Sequence, residues 1–222
     1  MLLLPNTDIY AITDSAFSMG RSVLEVTEHL LRSGVRIIQY REKDKKAGEM
    51  LKECLQIREA TKNAGACFIV NDYVDIAILA DADGVHLGQD DLPVDEVRRL
   101  IGHDRIIGLS THSPHQANQA IAAKVDYIGV GPLFATQTKK DVCEPVGLSY
   151  LDYVVNNITI PFVAIGGIKR HNIGDVVRHG AQCCCLVSEI LEAEDIEERI
   201  REIRMRMGKK GNLKEMTGLE KE

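Results

Sequence analysis

Eight short apolar runs, each followed by an amphipathic or polar stretch, constrain this chain more than any other feature. The runs cover residues 9–13, 37–40, 67–70, 84–87, 106–110, 127–130, 162–165 and 183–187. They are short and rich in Ile and Val, as strands buried on both faces should be. Between them the pattern predicts helices over 22–32, 47–63, 74–79, 94–100, 114–123, 148–156, 173–178 and 190–207. In the second of these, Met50, Leu51, Cys54, Leu55 and Ile57 recur at helical spacing with charges between them. Gly34, Gly65 and Gly180 each close a helical stretch ahead of a strand. Strict β–α alternation implies a parallel sheet with right-handed crossovers, and eight units predict closure into a single-domain (β/α)8 TIM barrel. The alternative architecture is an open, doubly wound sheet.

The length of 222 residues is close to the ~250 typical of such a barrel. The barrel is expected to occupy 1–207, with 208–222 reading as a polar, disordered tail. A net charge of −6 argues against nucleic acid or an anionic membrane as a bulk partner. It leaves room for an anionic small molecule held by a local basic cluster. The apolar run at Leu2-Leu3-Leu4 is too short for the core of a signal peptide, and no stretch approaches the ~20 apolar residues of a membrane helix. The six cysteines form no C-x-x-C pair, and Cys183-Cys184-Cys185 sit in an apolar run as small buried residues. The cytoplasm is the expected compartment.

In a barrel of this kind the active site lies where the strands end. Unusual polar residues fall there strand after strand. They are Gln39-Tyr40-Arg41-Glu42-Lys43, Asn71-Asp72, His86 with Gln89-Asp90-Asp91, Ser110-Thr111-His112, the 131–147 loop with Thr136-Gln137-Thr138-Lys139, Gly166-Gly167, and Val187-Ser188. Residues two apart on a strand share a side, so Gln39 and Arg41 both lean into the mouth, with Lys43 behind. An amide and two cations there suit a diphosphate; alternatively Arg41 and Lys43 pair with Glu42 or Asp44 on the surface. Asp72 and Asp91 end neighbouring strands ~5 Å apart, a separation at which two carboxylates can share Mg2+. Asp90 competes with Asp91 for that role, and Asp72 could instead cap the helix that follows. Gly166-Gly167 and the amides around Ser188 stand at the usual phosphate position. Lys139, in the longest loop, either closes over an anion or is simply solvated. His86 reads as a satisfied core histidine, while His112 is more exposed to the mouth.

Taken together, Gln39-Tyr40-Arg41-Glu42-Lys43, Asn71-Asp72, the 84–91 run, Gly131-Pro132-Leu133-Phe134 with Thr136-Gln137-Thr138-Lys139, and Ile165-Gly166-Gly167-Ile168 resemble the motifs of thiamine-phosphate synthases. The resemblance runs from about Tyr10 to Leu191. It implies condensation of 4-amino-2-methyl-5-hydroxymethylpyrimidine diphosphate with a thiazole phosphate, often supplied in carboxylated form. The products are thiamine phosphate and diphosphate. By similarity, Gln39, Tyr40, Arg41, Glu42, Lys43, Asn71 and Ser110 hold the pyrimidine diphosphate, and Lys139 its diphosphate as well. Asp72 and Asp91 bind magnesium, and Thr136, Gln137, Thr138, Gly167, Val187 and Ser188 hold the thiazole phosphate. Arg41, Lys43 and Lys139 would stabilise the leaving diphosphate. Ala135 departs from the proline expected in many relatives. Two other readings are a thiazole tautomerase of the same barrel family, with His112 as its acid–base group, and a non-catalytic sensor of thiamine precursors.

Overall fold

The computed structural model describes residues 4–138 and 143–208. Eight parallel strands close on themselves in chain order: β1 (Ile9–Thr13), β2 (Ile37–Tyr40), β3 (Cys67–Asn71), β4 (Gly84–Leu87), β5 (Ile106–Thr111), β6 (Tyr127–Val130), β7 (Phe162–Ala164) and β8 (Cys184–Cys185). The closing pair is β1 with β8, through Ile9↔Cys184 and Tyr10↔Cys185. The open sheet is therefore excluded. The helices are α1 (Val23–Arg32), α2 (Ala47–Asn63), α3 (Val74–Leu79), α4 (Val94–Ile101), α5 (Pro114–Ala122), α6 (Gly147–Asn157), α7 (Ile173–Arg178), α8 (Ser188–Leu191) and α9 (Ile196–Arg206). The expected tail lies outside the described residues but for Gly208.

Two differences from the sequence expectation have local causes. The single helix expected over 190–207 is broken, because Asp195 leaves helical geometry and its side chain accepts from Glu198 N to start α9. The last strand is two residues long, since β8 pairs only with Ile9 and Tyr10 on one side and Ala164 on the other. Side-chain caps also start α1 and α5. Ser22 and Glu25 form a reciprocal capping box on α1. Gly34, Gly65 and Gly180 have positive φ at helix ends, and Asp81 and Lys124 take the same conformation after α3 and α5.

Strand alternation divides the core in two. Outward residues such as Ile38, Phe68, Val85, Ile107, Ile128 and Cys184 pack beneath the helices. Inward residues fill the barrel: Tyr10, Ile12, Ile37, Cys67, Ile69, Ile106, Tyr127, Val163, Cys183 and Cys185. The three consecutive cysteines thus alternate between the two layers, and all three are buried and reduced. Packing, with no disulfide, accounts for them.

The end of the barrel away from the strand termini is closed by arginine–aspartate clamps. Asp126, just before β6, accepts from Ile107 N at 2.7 Å and from Arg98 of α4 at 2.6 Å. Asp83, just before β4, accepts from Phe68 N at 2.8 Å and from Arg58 of α2 at 3.0 Å. Each carboxylate ties a helix to two adjacent strands. Asp126→Ala is expected to cost about 2–3 kcal/mol, because it leaves a strand amide without its acceptor and the largely buried Arg98 guanidinium with backbone carbonyls but no carboxylate. A denaturation midpoint equal to that of the parent protein would show that this clamp contributes nothing.

Candidate active site

One cavity of about 250 Å³ opens at the end of the barrel where the strands terminate. Its walls follow from side-chain parity. Ile12, Gln39, Asn71, His86, Ser110, Gly129 and Cys185 come from inward strand positions, with Arg41, Lys43, Asp72, Asp90, Asp91, Thr136, Thr138, Gly166, Gly167 and Val187 from the loops above and Ser188 from the first position of α8. Most of the residues picked out in the sequence therefore meet in one place.

Tyr40 and Glu42 do not join them. The alternation that turns Gln39, Arg41 and Lys43 inward turns these two outward. Tyr40 is buried beneath α2 and its hydroxyl donates to Glu53 Oε2 at 2.6 Å. Glu42 is buried too, accepting from Ser15 N and Ser15 Oγ at 2.9 Å each. It anchors the 3-10 turn Ser15–Phe17 that follows β1. Gln137 is exposed and outside the cavity wall. Lys139 lies outside the described residues.

The cations of the mouth have definite partners. Arg41 Nη1 bonds Asp14 Oδ2, a pairing the sequence offered no means of finding. Lys43 Nζ meets Asp72 Oδ2 at 2.5 Å. Neither cation pairs with Glu42 or Asp44 as the surface alternative supposed. Asp72 is not a helix cap either: Tyr73 occupies that position, with no side-chain capping bond. Asp72 instead stands in the left-handed region at φ 62°, its amide donating to His86 O at 2.9 Å. Asp91 accepts from Gly88 N at 2.6 Å. Burial raises the Asp72 pKa; the Lys43 bond opposes the rise, and the neighbouring Asp91 carboxyl adds to it. Two carboxyls crowd one edge of the mouth, then, and the Lys43 ammonium is bonded to one of them. Among the described residues no third His, Cys, Asp or Glu completes a metal cage. A hard oxygen donor pair of this kind fits magnesium, which takes one or two carboxylates and fills its other positions with water and phosphate oxygens.

Beneath the mouth runs a chain of hydrogen bonds that sequence reasoning missed. Gln39 Nε2 donates to Tyr10 Oη at 2.8 Å, Tyr10 Oη meets Tyr127 Oη at 2.8 Å, Tyr127 Oη meets His86 Nδ1 at 2.8 Å, and His86 Nε2 meets Ser110 Oγ at 3.0 Å. Both phenols are fully buried, and burial pushes their pKa values well up, so they remain neutral. His86 is thus both a satisfied core histidine and a member of the cavity wall. Gly108 was the available signal: a glycine in mid-strand marks a close approach. Here it makes room for the Tyr127 ring, whose Cζ would lie 2.1 Å from a Cβ at that position.

On the far side, Gly166 and Gly167 carry φ values of 95° and 62°. Added Cβ atoms would stand 2.3 Å from Pro132 Cα and 2.5 Å from Ala135 O, so the 131–138 loop rests directly on this turn. Asn172 holds the turn from behind, accepting from Lys169 N at 2.7 Å and donating to Gly167 O at 3.0 Å. His112, also in the wall, has Nδ1 2.5 Å from the Gly131 carbonyl, which fixes that nitrogen as a donor.

The family model described as thiamine monophosphate synthase matches residues 9–190. A thiamine-phosphate synthase of Lawsonia intracellularis is 66% identical over 199 residues, covering 90% of this chain and 92% of its own. One from Pelotomaculum thermopropionicum is 60% identical over 203 residues, covering 91% and 93%. The solved structure of a thiamine phosphate pyrophosphorylase from Pyrococcus furiosus superposes with a TM-score of 0.83 at 32% identity, covering 91% of this chain and 96% of that one.

Proposed function

The chain belongs to the thiamine monophosphate synthase family, and from that premise we propose that its barrel mouth joins a pyrimidine diphosphate to a thiazole phosphate, releasing diphosphate. The observation that carries this reading is the arrangement of two anion-binding poles across one cavity. Arg41, Lys43, Asn71 and the Asp72–Asp91 pair come from β2, β3 and β4, while Gly166-Gly167 and Ser188 come from β7 and β8. In a closed eight-stranded barrel β3 and β7 are diametrically opposed. Two phosphorylated rings held one at each pole would meet over the cavity centre.

The chemistry assigns each group a task. Diphosphate departure leaves positive charge on the pyrimidine methylene carbon, delocalised by the aminopyrimidine ring, and concentrates negative charge on the leaving group. Groups that bind that developing charge more tightly than the ground state accelerate the step. Arg41 and Lys43 are placed for this, with Lys139 assigned by resemblance alone. Asp72 and Asp91 would hold Mg2+, which supplies further neutralisation of the diphosphate when bound. Gln39 and Ser110, fixed by the buried chain below, would orient the pyrimidine. The thiazole nitrogen attacks without needing a strong base, so positioning is the remaining contribution.

The tautomerase reading is disfavoured by the cation and acid cluster, which a proton transfer on the thiazole carboxylate does not need. The sensor reading is disfavoured by retention of both acids. Action on small molecules, with no nucleic acid as a bulk partner, fits the net charge of −6; among the described residues no helix is long and apolar enough to cross a membrane. The deciding test mixes the purified protein with both substrates and Mg2+ and measures thiamine phosphate and diphosphate. Stoichiometric formation of both is expected. Binding of the thiazole phosphate without product would favour the sensor, and turnover of the carboxylated thiazole alone would favour the tautomerase.

A further inference from the structure

Lys169 stands two residues past the Gly166-Gly167 turn and lines the same cavity. Its Nζ donates to Ser188 Oγ at 2.8 Å, so the ammonium sits at the β7–β8 pole and not out in solvent. Its backbone position is set independently of its side chain, by the Asn172 clamp on the Lys169 amide.

The charge around it is unbalanced. The described carboxylate paired with Lys169 is Glu189, at 3.8 Å. Glu189 already receives Arg170 at 2.8 Å and Arg199 at 3.1 Å. Those two guanidiniums also share Glu202, at 2.8 and 3.3 Å. Three cations therefore surround two carboxylates, and the weakest-held of the three is the one that faces the cavity. The two arginines satisfy the acids, and the ammonium of Lys169 is left with a hydroxyl and a long ion pair. A cation in that condition binds a phosphoryl dianion readily, exchanging a bond to a neutral hydroxyl for one to an anion.

We propose that Lys169 is a phosphate-binding residue of the thiazole subsite, moving from Ser188 Oγ to the substrate's phosphate and so setting the enzyme's preference for the phosphorylated thiazole. This rests on the two-pole reading of the mouth. The alternative source of the same chemistry is the pyrimidine diphosphate, bound at the opposite pole.

Steady-state kinetics of the full chain with Mg2+ separates these. In Lys169→Gln the KM for thiazole phosphate should rise roughly 10- to 100-fold, the worth of one charge-assisted bond, while the KM for pyrimidine diphosphate stays put. Lys169→Arg should recover most of the loss. The preference for thiazole phosphate over the unphosphorylated thiazole alcohol should shrink in parallel, which a merely structural role would not produce. An unchanged KM for thiazole phosphate, or a rise confined to the pyrimidine diphosphate, overturns the assignment. Should the parent protein make no thiamine phosphate at all, the reaction reading fails instead. Calorimetric titration of thiazole phosphate into both proteins then still decides the point: weaker binding by Lys169→Gln supports the role, and equal affinity or no binding by either refutes it.

Discussion

Asp72→Asn is expected to lower turnover by at least about 100-fold while leaving the metal-free protein as stable as the parent or more so. Magnesium and the cations beside it are asked for several kcal/mol of transition-state stabilisation, and each ~1.4 kcal/mol is a factor of ten. Asparagine is the right probe because Asp72 sits at φ 62°, a conformation that Asn tolerates as well as Asp. The change removes a charge and little else. The stability half follows from the direction of the pKa shift. Burial and Asp91 together outweigh Lys43 and raise the Asp72 carboxyl above its ordinary value. A raised native pKa means the folded state holds the proton more tightly than the unfolded chain does. Stability contributed by that proton is present at low pH and lost as pH rises through the window between the two values. At neutral pH the ionised group is therefore a cost, and Asn removes it. Added Mg2+ should raise the Tm of the parent but not of the variant. That Mg2+-dependent shift should fade on acidification, beginning above the range where an exposed aspartate protonates. Parental turnover in Asp72→Asn, or an identical Mg2+ response, would remove Asp72 from the metal site.

The barrel and one rim of its mouth were legible from the chain because both obey a period of two. Once the strands are placed, Gln39, Arg41 and Lys43 follow on one face, as does Asn71 on β3; Asp72, one residue on, falls outside that period and joins the mouth where the backbone turns into the left-handed region. The same rule turns the side chains of Tyr40 and Glu42, which the family resemblance includes, away from the cavity. What stayed hidden depends on pairs far apart in sequence. Arg41 meets Asp14 across 27 positions, and Tyr10 meets Tyr127 across 117. No local pattern predicts such meetings; strand order around a closed barrel does. Lys169 was hidden for another reason. The Gly166-Gly167 pair is legible as a backbone feature, but the ammonium two residues on acquires meaning only beside its chain neighbour Arg170, Glu189 of α8 and Arg199 of α9.

The largest structural effect is expected from the smallest substitution, Gly108→Ala. A Cβ at this position would lie 2.1 Å from Tyr127 Cζ, 2.4 Å from its Cε1 and 2.5 Å from its hydroxyl. Tyr127 is 1% exposed and tilted against both Tyr10 and His86, with ring centroids 6.0 and 5.4 Å away. The ring therefore has no rotamer to retreat into without moving those neighbours. Overpacking of a close-packed interior commonly costs 1–3 kcal/mol, and a contact this short on a fully buried ring should reach about 3 kcal/mol or more. Displacing the phenol also breaks the chain that holds Gln39 at one end and Ser110 at the other, so turnover should fall along with stability. The two effects can be separated. Adding Tyr127→Leu to Gly108→Ala vacates the space the new methyl needs, so the double variant should be more stable than the sum of the single losses implies. It should nonetheless remain slow, since leucine cannot bond His86 Nδ1 or Tyr10 Oη. A Gly108→Ala protein with the parental Tm would mean the ring has freedom that its burial denies. A double variant restored in turnover as well as stability would mean that the hydroxyl chain under the mouth positions nothing the reaction uses.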